Sequence, residues 1–178
     1  LLTVDRALSA ALLVTLTGCV PTAAKRLPGQ ALLVDDTCVA FGAPDALQHE
    51  RAVIGPVAVH SLFPPNSADT LLLRVQVDAV PGTLDHATAT VMESWAATPD
   101  LGVTFGAVSA GERPVGRSVW AGHQVPAALL GRPATLDVFL LQHGRCEVVV
   151  SALTWDDGPG WDLFQDVLRS LVIVQPPG

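Results

Sequence analysis

The hydrophobic period of this chain changes from two to about 3.6 across one short stretch, and few folds accommodate that change. In residues 71 to 79, LLLRVQVDA, Leu71, Leu73, Val75 and Val77 alternate with Leu72, Arg74, Gln76 and Asp78, as in a strand with one face in a core. After Pro81 and Gly82, Leu84, Ala87, Val91 and Trp95 recur at three and four residues, Thr83 stands at the N-cap and Pro99 closes the segment. That pattern predicts an amphipathic helix laid on a sheet.

The remaining elements group around the same plan. A first strand is expected over residues 36 to 41, where Thr37, Val39 and Phe41 alternate with Cys38 and Ala40. Residues 53 to 63 are β-branched but broken at Gly55 and Pro56, so the ordered part is expected over 57 to 62. Strand-like runs follow at 103 to 108, 115 to 120, 124 to 129, 134 to 141 and 146 to 155. The last two are joined by a hairpin signal at Gln142, His143, Gly144 and Arg145. Residues 156 to 160 turn into a second helix with an apolar stripe of Trp161, Phe164, Val167, Leu168 and Leu171, and residues 172 to 174 leave it extended. Strands grouped around two main helices, rather than alternating with them, predict an α+β fold with a mainly antiparallel β-sheet.

The N-terminal segment belongs to none of this. Residues 7 to 16 carry no charge and follow Arg6, a run too short for the roughly 20 residues of a membrane-spanning helix and suited to a signal-peptide core. Leu16, Thr17, Gly18 and Cys19 resemble a bacterial lipobox. The resemblance implies a signal peptide over residues 1 to 18, lipidation of Cys19, and attachment to the outer or cytoplasmic membrane of the cell envelope on its extracytoplasmic side. Two or three acyl chains hold a protein stably where one does not. Residues 19 to 30, with two prolines, one glycine and no apolar period, read as a tether, and residues 31 to 178 as one domain. Exported, the chain would mature where disulfides persist. Cys38 and Cys146 are then a pairable couple, with two buried free thiols as the alternative.

Composition removes several function classes. A net charge of -7 argues against nucleic acid, which requires a basic footprint. The five histidines stand singly, without metal-ligand spacing, so no metal is expected. Asp156, Asp157 and Asp162 around Gly158 and Gly160 read as turn and helix-start residues. Ser109 in AVSAG lacks the first glycine and the following helix of a nucleophile elbow. No phosphate loop or dinucleotide fingerprint occurs, and no cofactor is expected. Of the four tryptophans, Trp95 and Trp161 fall on helical stripes, whereas Trp120 and Trp155 end predicted strands, where an exposed indole would anchor a partner.

The segments VPGTLDHATATVMESW, VWAGHQVPAALL, ATLDVFLLQHGRCEVVVSAL and WDLFQDVLRSLVIV are together similar to the PsbP-like family. That family takes in the extrinsic photosystem protein, a Ran-binding import factor, DcrB-type bacterial lipoproteins and type VI secretion chaperones. The likeness spans residues 31 to 174 and is strongest in the final pattern of Phe164, Val167, Leu168, Ser170, Leu171 and Ile173. It implies an α/β/α sandwich and no shared enzyme activity. The expectation is a non-enzymatic envelope lipoprotein that binds or helps assemble an envelope protein partner. The alternative is a carrier or chaperone holding a small apolar ligand or hydrophobic segment in a groove.

Overall fold

The computed structural model describes residues 30–35, 38–98 and 101–173. The signal peptide expected over 1 to 18, Cys19, and all of the tether but Gln30 lie outside the described residues. Eleven strands and two helices follow in the order β1 (Gln30–Asp35), β2 (Val39–Pro44), β3 (Gln48–Ile54), β4 (Val57–Phe63), β5 (Thr70–Val77), α1 (Leu84–Ala96), β6 (Thr104–Phe105), β7 (Ser109–Val115), β8 (Ser118–Leu129), β9 (Arg132–His143), β10 (Cys146–Trp155), α2 (Gly160–Ser170) and β11 (Val172–Ile173). Every pairing is antiparallel. The large sheet runs β3-β4-β5-β10-β9-β8-β6, with β7 also on β8, and a small sheet runs β1-β2-β11. Among the described residues, no helix is long and apolar enough to cross a membrane.

The large sheet is covered on both faces, which gives the α+β sandwich. One face carries Leu71, Leu73 and Val75 of β5 and Val148, Val150 and Ala152 of β10, packed against Phe41 of β2 and Phe164, Val167 and Leu168 of α2. The other carries Val125, Leu136, Val138 and Leu153 against Val91 and Trp95 of α1. The period-two reading of β5 and the helical stripe of α1 both hold. Thr83 caps α1 by accepting from His86 N at 3.2 Å. At the far end, Ser170 accepts from Gly42 N at 2.7 Å, and β11 then pairs with β2, so the last helix is fastened to the small sheet. Cys38 and Cys146 are joined, with Cα atoms 6.1 Å apart, and link the start of β2 to the start of β10.

Several strand boundaries differ from expectation. The first strand starts at Val39, and β1 beside it reaches back to Gln30, one residue into the expected tether. The break at Gly55 and Pro56 is a hairpin turn: Gly55 has φ +60 and Ile54 pairs with Val57. A glycine at positive φ in the first turn position suits a two-residue connection. The polar run from Gln48 is therefore β3, a strand with only β4 as neighbour among the described residues. Similarly, Gly116, at φ +63, turns β7 into β8. The strands expected at 115 to 120 and 124 to 129 are replaced by β7 and one long β8, and only Thr104–Phe105 of residues 103 to 108 is strand. Trp120 consequently lies third in β8 and does not end a strand.

Gly122, between those two expected runs, is needed inside β8. A Cβ on Gly122 would lie 2.3 Å from Val138 O and 2.6 Å from a ring carbon of Phe139. Gly122→Ala is expected to destabilise the chain by about 2 to 3 kcal/mol, since neither neighbour can retreat without moving the sheet. A lowered urea midpoint at unchanged slope is the expected readout.

Candidate functional site

Helix α1 sits over β8 and β9, and among the described residues no helix covers the same face of β4 and β5. The result is an open groove of about 460 Å³ between α1 and the sheet, within the size range of small-molecule sites. Its floor is Val57, Val59 and Ser61 of β4, Leu72, Arg74 and Gln76 of β5, and Val149 of β10. Strand alternation produces this lining, because the partners of each residue across the sheet point to the same side. Val59 and Val149 both stand directly opposite Arg74, one on each flanking strand. One cation thus lies between two valines.

Arg74 is half-buried, and among the described residues nothing pairs with it. Burial alone pushes its guanidinium below the ordinary arginine value. The nearby Glu147 is committed elsewhere: it accepts from Gly82 N at 2.9 Å and from Gln142 Nε2 at 2.8 Å, beside the start of α1. Thr90 and Ser94 of α1 form the opposite wall.

The sequence-predicted residues lie elsewhere and apart. Trp120 is half-buried against Phe139, with ring centroids 5.6 Å apart, on the α2 side of the sheet. Trp155 is half-buried on the α1 side, with the Arg132 guanidinium 3.3 Å from its ring centre and Arg132 in turn bonded to Asp157. Asp156 accepts from Thr135 Oγ1 at 2.7 Å, and Asp162 lies in the first turn of α2. Ser109 donates to Gln124 O at 3.0 Å.

Two histidine contacts escaped the sequence reading. Beside α1, Thr88 Oγ1 is 2.9 Å from His123 Nδ1, and Asp85 is 3.5 Å from His123 Nε2. The Thr88 hydroxyl already donates to Leu84 O at 2.8 Å, so His123 is the donor to it. A nucleophile needs a base that takes its proton, and this order is the reverse. On the opposite face, His49 Nε2 lies 3.0 Å from His60 Nδ1, with the rings stacked. A hairpin turn recognised at residues 55 and 56 would have placed them diagonally across β3 and β4. Burial, then His60, then Arg51 push His49 below the ordinary value of 6.5.

A histidine whose folded value is lowered binds fewer protons than the unfolded chain. Stability is therefore full above pH 6.5 and falls as pH drops from there through the lowered value. The thermal midpoint is expected to fall as pH drops below about 6.5, and His49→Gln to flatten that decline. An unchanged slope in the variant would remove His49 as its source.

Comparison with known proteins bears on the fold. No family model and no curated protein matches the chain. A crystal structure from Bacteroides thetaiotaomicron VPI-5482 superimposes with a TM-score of 0.54 at 11% identity, covering 84% of this chain and 50% of that one. The likeness is one of fold alone. This chain spans about half the length of that Bacteroides protein. The solution structure of cyanobacterial PsbP from Synechocystis sp. PCC 6803 matches with a TM-score of 0.48 at 14% identity, over 88% of this chain and 98% of that one.

Proposed function

We propose that this chain is a PsbP-like, non-enzymatic binding module of the bacterial cell envelope, held at a membrane by lipidated Cys19, and that it carries its ligand in the groove beside α1. The observation that supports this reading most is the aliphatic floor of β4, β5 and β10 left open next to α1. Val57, Val59, Leu72 and Val149 are half-buried in a groove of the size that small ligands occupy. The anchor is carried by the lipobox resemblance of residues 16 to 19.

Two substitutions test the two halves. Cys19→Ala moves the protein from the membrane fraction to the soluble fraction; equal membrane retention would refute lipidation. Thr90→Trp, at an exposed position on the groove wall, fills the groove without touching the core. It is expected to strip the molecules that co-purify with the chain from mild detergent at an unchanged thermal midpoint. An identical co-purifying set in the variant would sink the carrier reading.

A second reading, docking of an envelope protein, is favoured by β3. That strand ends the large sheet among the described residues, and its Val53 and Ile54 are 59% and 67% exposed. An edge strand of this kind accepts an added strand. Co-purification of a stoichiometric protein that survives Thr90→Trp and is lost on Val53→Pro would favour docking over carriage.

A further inference from the structure

We propose that the groove is a site for an acyl carboxylate, with Arg74 receiving the carboxylate and Val57, Val59, Leu72 and Val149 receiving the chain. This rests on the carrier reading above and names its ligand class. A half-buried cation without a counter-ion gives up part of its hydration, and an arriving anion compensates for that loss. Arg74 is in that position: valines flank it on both neighbouring strands, and no carboxylate among the described residues pairs with it. Glu147, the other charged group of the floor, is held by Gly82 and Gln142 at the end of the groove nearest the start of α1. His86 lines the groove from α1.

The number and kind of groups select the anion. One guanidinium presents a planar fork that matches one carboxylate, and with no second cation beside it a doubly charged phosphate would stay undercompensated. The chain as a whole carries -7, so attraction of an anion has to come locally from Arg74. Around it Val57, Val59, Leu72 and Val149 offer an aliphatic surface to a chain, and Ser61 and Gln76 are the polar residues beside it. The volume of about 460 Å³ suits a ligand of that size.

Calorimetric titration of the full chain with decanoate, decan-1-ol and acetate separates these contributions. Decanoate is expected to saturate one site, decanol to bind at least about tenfold more weakly, and acetate not to bind, because a charge-assisted pair and the buried chain both contribute. Arg74→Gln brings decanoate down to the level of decanol, Arg74→Lys retains part of the difference, and Thr90→Trp removes binding of both. Because Arg74 has no partner among the described residues to lose and its charge gives up hydration where it stands, Arg74→Gln keeps or raises the parent thermal midpoint, so lost binding is not lost folding. Equal binding of decanoate and decanol, or unchanged decanoate binding by Arg74→Gln, overturns the proposal. So does an absence of decanoate binding, including the case where an aliphatic peptide with a free C-terminal carboxylate binds instead. None of these results touches the carrier reading, which falls only if Thr90→Trp leaves the co-purifying molecules unchanged.

Discussion

Cys38→Ala and Cys146→Ala are each expected to lower unfolding stability by about 3 to 5 kcal/mol. The bridge joins residues 108 apart in sequence. In the chain-entropy view, a loop of that length is among the most restrictive that a single bridge imposes on the unfolded state. It also holds β2 against β10, and so the small sheet and α2 against the large one. For a domain of this size the loss amounts to a fall in thermal midpoint of roughly 10 °C. Scanning calorimetry of the parent with and without reductant gives an independent reading. If reduction leaves the midpoint in place, the two thiols are not bridged in solution.

Arg113→Met is expected to cost about 3 kcal/mol, because it strands a buried carboxylate. Asp137 is fully buried, and Arg113 holds it with both arms of its fork at 2.8 and 2.9 Å, while Gln124 Nε2 lies 3.2 Å away. The guanidinium also rests 5.1 Å from the ring centre of Trp161, so it links β7, β9 and α2. Without Arg113 the carboxylate keeps only the glutamine. A double substitution, Arg113→Met with Asp137→Leu, is expected to return to within about 1 kcal/mol of the parent, since apolar groups of similar volume replace the pair. Denaturant midpoints of the two singles and the double complete the cycle. A double variant as unstable as the single would mean that packing around Trp161, and not the stranded charge, carries the cost.

Much of the architecture was legible because it follows from local period. The faces of β5 and α1, the cap at Thr83, the hairpin at residues 142 to 145 and the stripe of α2 depend on which side chains neighbour one another along the chain. The terminal pattern of the PsbP-like resemblance is likewise explained by packing: Phe164, Val167 and Leu168 are buried under β2, and Ser170 bonds Gly42. Strands with polar or glycine-containing sequences were not legible. β3 is polar because among the described residues it has one neighbour and exposed faces, and β8 runs through residues 121 to 123, which lie outside the expected runs, with Gly122 packed against Phe139.

The candidate site was legible only in its parts. Arg74 stood out merely as the polar member of an alternating strand. Its importance depends on Val59 and Val149, 15 and 75 positions away, and on where α1 comes to rest. The two tryptophans singled out from sequence are half-buried, one against Phe139 and one under Arg132.

By itself, then, the sequence determined the change of hydrophobic period, and with it a sheet with helices laid on it, since that property lies in near neighbours along the chain. The tertiary structure alone decided which part of the sheet α1 leaves open and that Arg74 finds no counter-ion there among the described residues. Both depend on strand order and helix placement, which are set by contacts between residues far apart in sequence.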